Sequence, residues 1–126
     1  MKQRKTVEDY LKTIYLLSKK REVHGAYIAE ALGVSKPTVS IALKSLEKEG
    51  YLTRDERHAI RLTETGREIA TATYERHQTF QALLEDLGVS GKTAAADACQ
   101  MEHAVSMESY EALKELMERK KTSGHE

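Results

Sequence analysis

At 126 residues, the chain has room for one or two small domains and sits near the lower size limit for a self-sufficient core. Charged residues make up 32% and aromatics 6%, with no Trp and a single Phe, so the core must be built from Leu, Ile, Val, Ala and Met. No apolar run approaches the roughly 18 residues of a membrane span. The basic start Met1-Lys2-Gln3-Arg4-Lys5 lacks a following signal-peptide core, and a lone cysteine excludes an internal disulfide; the expected location is cytoplasmic. The zero net charge hides an asymmetry. Residues 1–67 carry 14 Lys and Arg against 9 Asp and Glu, and residues 68–126 carry 6 against 11, so one half is suited to meeting a polyanion.

In chain order, Thr6 with Asp9 three residues on resembles a helix start. Val7, Tyr10, Leu11, Ile14, Tyr15 and Leu17 then recur at helical spacing to Ser18. A short Ala-rich helix is expected over 27–32, stopped by Gly33, and a second over 36–49, capped by Ser35 and carrying Pro37 in its first turn. Val39, Leu43 and Leu46 should point inward, with Val34 and Val39 filling the wedge between the two helices. Tyr51–Arg54 and Ala59–Thr63 alternate across a polar turn and read as a hairpin. A long helix follows over about 63–87, then helices over about 90–105 and 107–120, and a tail over 121–126 that is expected to be disordered.

Helix, short helix, four-residue break, helix and hairpin is the order of a winged helix-turn-helix. The expected fold is therefore mainly α, with a winged helix-turn-helix domain over 1–67 and an all-helical dimerisation domain over 68–126. Ser35, Lys36, Pro37, Thr38, Ser40 and Lys44 would face a major groove, and Arg57 and Arg61 on the hairpin, beside Arg54 and His58, would meet phosphate or the minor groove.

Cys99, Glu102 and His103 fall at i, i+3 and i+4, on one face of one helix. A thiolate, a carboxylate and an imidazole suit a borderline divalent ion, and His77 and Asp9 are further candidates. Each has a plainer explanation: Cys99 as a small buried apolar residue, Glu102 and His103 as a surface pair, Asp9 as part of a helix start.

The wing and this trio together resemble the diphtheria toxin repressor and manganese transport regulator family. The carrying segments are Thr6–Tyr15, Ile28–Ser40, Leu62–Arg67 and Asp97–Ser106, spread over nearly all of residues 6–118. The resemblance implies a two-domain regulator without the family's third, SH3-like domain. It would bind Fe(II) or Mn(II), then palindromic operator DNA as a homodimer, silencing metal-uptake genes. It implies metal ligands at Asp9, His77, Cys99, Glu102 and His103. Cys99 follows the iron-type members, which favours Fe(II), whereas Asp9 follows the manganese type. Lys12 stands where manganese types carry a ligand Glu, and Gln81 and Ala95 where iron types carry an ancillary Glu and His, so one metal per subunit is expected. The main rival is a metal-independent winged-helix regulator that senses an oxidant through Cys99 or binds an organic effector. A small metalloenzyme has no nucleophile–base pair or phosphate loop to support it, so neither enzymatic activity nor a small organic substrate is expected.

Overall fold

The computed structural model describes residues 4–123, with the side chains of 121–123 left aside. The expected tail therefore lies outside the described residues at 124–126, while 121–123 continue the last helix. The described chain forms six helices and one two-stranded hairpin, divided into two compact units, Met1–Ala72 and Thr73–Glu126. No helix among the described residues is long and apolar enough to cross a membrane.

In the first unit α1 spans Arg4–Ser18. It is already helical at Arg4, so the Thr6–Asp9 pair lies inside the helix and does not begin it. Val7, Tyr10, Leu11 and Ile14 recur on one face and are buried there. Full burial of each such side chain contributes about 1.5–3 kcal/mol. α2 spans Gly25–Leu32, starting two residues earlier than the Ala-rich run implied, because His24 takes the extended N-cap conformation without a side-chain cap. Gly33 ends it at φ 68°, and the Val34 amide closes the turn on Ala29 O at 3.1 Å. α3 (Lys36–Lys48) opens as the sequence implied: Ser35 Oγ accepts from Thr38 N at 3.2 Å, and Pro37 sits where no intrahelical N–H is needed.

Val39, Ala42, Leu43 and Leu46 bury the inner face of α3. The wedge differs from expectation in one residue. Val39 fills it, but Val34 is 39% exposed, because the left-handed turn at Gly33 carries the following side chain outward.

The wing pairs β1 (Leu52–Arg54) with β2 (Ile60–Leu62) antiparallel, Leu52 opposite Leu62. Ile60 also bridges to Val23, adding a third segment that no alternation in the sequence marked. Asp55 organises the turn: Oδ1 accepts from the amides of Arg57 at 2.8 Å and Ala59 at 3.0 Å, and His58 takes φ 62°.

α4 (Glu64–Asp86) begins in the first unit and ends in the second, which continues with α5 (Gly91–Ala104) and α6 (Met107–Ser123). Ser90 and Ser106 cap α5 and α6 by accepting from the amides of Thr93 and Ser109. Phe80, Ala98 and Tyr110 form the buried centre of this unit, with Leu83, Met101, Val105 and Leu113 around them. Phe80 and Tyr110 meet edge-to-face at 5.8 Å. α6 runs past Lys120, which pairs with Asp86 at the end of α4, and no Gly or Pro interrupts it before Gly124.

Candidate metal centre and nucleic-acid interface

α5 places Cys99, Glu102 and His103 on one face, and α4 supplies His77 from the neighbouring helix of the same unit. Glu102 is the hub, with no exposed surface. Its Oε2 lies 3.2 Å from His77 Nδ1 and its Oε1 3.2 Å from His103 Nε2, so one carboxylate stands between two imidazoles. Cys99 Sγ lies 3.7 Å from the same His77 Nδ1, and one ligand atom from each of His77, Cys99 and Glu102 falls within a span of 4.8 Å.

The donor set fits a transition-metal ion. Ligand atoms about 2.0–2.3 Å from a tetrahedral ion lie roughly 3.3–3.8 Å apart, close to the two separations around His77 Nδ1. A fully buried carboxylate costs several kcal/mol unless positive charge faces it. This burial excludes Glu102 and His103 as a surface pair: the His103 side chain is only 5% exposed. Cys99, in turn, is exposed and is no buried apolar filler.

Two residues support the donors: Arg76, which nothing in the sequence marks, and Gln81, which the sequence marks only for the ancillary ligand it lacks. Arg76 is buried on α4 and its Nη1 donates to Glu102 O and Val105 O, both at 3.4 Å, satisfying the carbonyl end of the helix that carries the donors. Its guanidinium also lies 5.3 Å from the Tyr110 ring centre. Gln81, one turn beyond His77, places Oε1 3.0 Å from His77 Nε2. Nothing in the spacing of Arg76 separates it from the other charges of a polar helix. Gln81 had a signal in its i+4 offset from His77.

Asp9 belongs to the first unit, half-buried on α1, with Lys12 one turn further along. Ala95, on α5, offers no donor atom.

The outer face of α3 is exposed at Lys36, Pro37, Thr38, Ser40, Ile41, Lys44 and Lys48. Ser35 is committed to the helix cap, its hydroxyl also 2.7 Å from Thr38 Oγ1. On the wing, the Arg57 side chain is 79% exposed and Arg61 is exposed. Arg54 is turned back instead: its Nη2 and Nε bind Glu47 Oε1 at 2.8 and 3.2 Å, bracing the wing against α3.

A lysine-bearing helix beside a hairpin wing, followed by a helical unit with mixed sulfur, nitrogen and oxygen donors, defines a winged-helix regulator with a metal-binding domain. The chain belongs to the iron-dependent repressor family. Residues 3–60 match its N-terminal DNA binding domain and residues 63–126 its metal binding and dimerisation domain. It is 38% identical over 117 residues to a helix-turn-helix-type transcriptional regulator of Methanocaldococcus jannaschii, covering 90% of this chain and 94% of that one. It is 35% identical over 122 residues to the transcriptional regulator MntR of Salmonella typhimurium, covering 96% and 78%. Among solved structures, the manganese regulator SloR superposes with a TM-score of 0.79 at 32% identity, covering 89% of this chain and 53% of SloR, so the chain spans about half the length of that relative. These relatives are transcriptional regulators.

Proposed function

We propose that this protein is a metal-dependent transcriptional repressor that binds palindromic operator DNA as a homodimer when loaded with Fe(II) or Mn(II), controlling metal-uptake genes. The observation that carries this reading is the convergence of Cys99, His77 and Glu102 beneath a family match to a metal-binding domain.

The proposed ligands are Asp9, His77, Cys99, Glu102 and His103. A bound divalent ion would supply the positive charge that the carboxylates and a Cys99 thiolate share. His77 Nδ1 and Glu102 Oε2 already face each other at a ligand–ligand separation, and Arg76 steadies the end of α5. Asp9 is proposed from its place on α1, the helix nearest the start of the reading domain. Its recruitment would link metal occupancy to the DNA-competent arrangement by population shift. Sulfur ligation favours softer ions than Mn(II), so Fe(II) is the proposed effector. Lys12, Gln81 and Ala95 supply no further anionic or imidazole donor, which supports one ion per subunit.

Ser35, Lys36, Pro37, Thr38, Ser40 and Lys44 of the α3 region, with Arg57 and Arg61 of the wing, are the proposed DNA contacts. In two copies, such helices would address half-sites about one or more helical turns apart.

The test is an anaerobic titration of metal-stripped protein with Fe(II) and with Mn(II), alongside Glu102→Ala. Binding near one equivalent per chain, lost in the variant, is the expected result. Equal binding by the variant would overturn the site, and no binding of either ion would overturn metal dependence.

A further inference from the structure

Ile41 is, with Leu87, the most exposed large apolar residue described, at 72%, and it lies in the middle of the helix that presents Lys36, Lys44 and Lys48. Along α3 the buried positions Val39, Ala42, Leu43 and Leu46 occupy one side. At 100° per residue, Ile41 falls nearly opposite their centre. Its neighbours on that outer face are Pro37 and Thr38 one turn before, Lys44 one turn after and Lys48 two turns after, all exposed.

Nothing in the helix itself calls for isoleucine there. A β-branched side chain at an exposed helical position is a poorer helix former than Ala, Lys, Gln or Glu, and at this exposure it adds little to the core. The surface around it is cationic and hydroxyl-bearing, which suits a polyanion and not an apolar protein groove.

Isoleucine has no donor or acceptor. Among the groups that base pairs present in the major groove, the apolar one is the C5 methyl of thymine. We propose that Ile41 is a specificity-determining residue of this protein, reading a thymine through its 5-methyl group in each half-site. This rests on the DNA-binding reading above and adds the chemistry by which one base is chosen. Thr38 and Lys44, at i−3 and i+3, flank the contact with a hydroxyl and a charge, so phosphate contacts set the register and Ile41 reads the base.

The experiment starts with the metal-loaded full chain enriching duplexes from a random pool. Each thymine of the enriched half-site is then replaced by uracil, which keeps Watson–Crick pairing and every hydrogen-bonding group but removes the methyl. Affinity is measured for the native protein and for Ile41→Ala. Loss of one buried methyl contact corresponds to about a fourfold weakening, and to roughly fifteenfold when both half-sites are changed. One thymine position is expected to show this cost with the native protein and none with Ile41→Ala, while the dependence of affinity on salt stays the same because no charge is removed. Uracil tolerated at every position, or costing the variant as much as the native protein, would overturn the role of Ile41 while leaving DNA binding intact. Failure to enrich any sequence would instead overturn the DNA-binding reading and this inference with it. Ile41→Ala is expected to fold, since it removes an exposed side chain and raises helix propensity; its circular dichroism and melting curve provide the check.

Discussion

His77 turns its two ring nitrogens to different neighbours: Nε2 lies 3.0 Å from Gln81 Oε1, while Nδ1 lies 3.2 Å from Glu102 Oε2 and 3.7 Å from Cys99 Sγ. An amide oxygen accepts, so the Nε2–H donates to Gln81, and Nδ1 is the nitrogen directed at the donor cluster. Outer-shell partners of this kind typically change metal affinity by about 10–100-fold. Gln81→Met should therefore weaken binding by that order without removing any ligand. A competition titration with a chromophoric chelator measures the affinity. Nitrogen-detected NMR of His77 shows whether its tautomer preference is lost with it. Unchanged affinity together with an altered tautomer would show that the orientation of the ring is set elsewhere.

Metal loading should raise stability by linkage, by about 2.7 kcal/mol when free metal is a hundred times its dissociation constant. Glu102→Gln keeps the shape of the buried side chain but removes the charge that faces His77 and His103. The expected outcome is a melting temperature that no longer responds to Fe(II) or Mn(II), and a metal-free protein that remains folded. Calorimetric melting with and without metal checks this, and an undiminished metal response would remove Glu102 from the site.

Much of this architecture is legible in the sequence because its signals are local. Ser35, Gly33, Ser90 and Ser106 act at the helix ends through caps or a left-handed turn, and periodicity alone fixes the inner face of α3. The i, i+3, i+4 spacing likewise puts Cys99, Glu102 and His103 on one face. What is not legible depends on contacts distant in the chain. Arg76 reaches carbonyls 26 and 29 residues away, and the Val23 bridge to Ile60 joins segments that no pattern links. Val34 lies outside the wedge because a left-handed glycine just before it redirects a side chain that hydrophobicity alone would bury. The burial of Glu102 between two imidazoles is likewise invisible to spacing, which treats a surface pair and a buried hub alike.

Gly66 provides a test of packing in which even the sign is informative. A Cβ on this residue would lie 2.0 Å from Tyr51 O and 3.0 Å from its carbonyl carbon. The first turn of α4 is held against that backbone by Thr63, whose amide donates to Tyr51 O at 3.1 Å and whose hydroxyl donates to Gly50 O at 2.7 Å. In an open helix Gly→Ala stabilises by up to about 1 kcal/mol. Here the forced displacement of backbone should reverse the sign, and Gly66→Ala is expected to destabilise by about 1–3 kcal/mol. Urea denaturation followed by far-ultraviolet circular dichroism measures it, and a stabilised variant would refute the close approach.

The second unit should carry a modest acid sensitivity from Glu75. The hydrogen bond that its carboxylate accepts from Lys114 at 2.6 Å, the largest influence, holds its pKa below the ordinary glutamate range against the opposing effect of desolvation. A folded-state pKa below the unfolded one contributes stability at pH values above the unfolded pKa, and that contribution is lost as pH falls through the folded value. Both side chains are substantially exposed, so solvent and salt screen the pair and the effect is small. Glu75→Gln should lower the melting temperature slightly at neutral pH, with the difference from the native protein closing as the pH is brought below the glutamate range. A difference that widens toward acid would give Glu75 the opposite sign.

The wing arginines should separate by their dependence on salt. Arg57 and Arg61 are exposed on the hairpin, Arg57 with only a long, solvent-screened contact to Glu22 Oε1 at 3.6 Å, whereas the Arg54 guanidinium is bound by Glu47 at 2.8 Å and its side chain is only 22% exposed. A residue that neutralises a phosphate releases condensed counterions, and its removal lowers the slope of log affinity against log salt by about one. Arg57→Ala and Arg61→Ala should each do this, and should weaken specific and nonspecific duplexes alike, since phosphate carries no sequence information. Arg54→Met should leave the slope nearly unchanged. Its effect should instead be a loss of stability of about 1 kcal/mol or less, because the pair it breaks is partly exposed and Glu47 regains water when its partner leaves. Fluorescence anisotropy across a salt series, run beside thermal melts of the free protein, distinguishes the two kinds of arginine. If Arg54→Met were to lower the slope as Arg57→Ala does, Arg54 would have to leave Glu47 and bind phosphate in the complex.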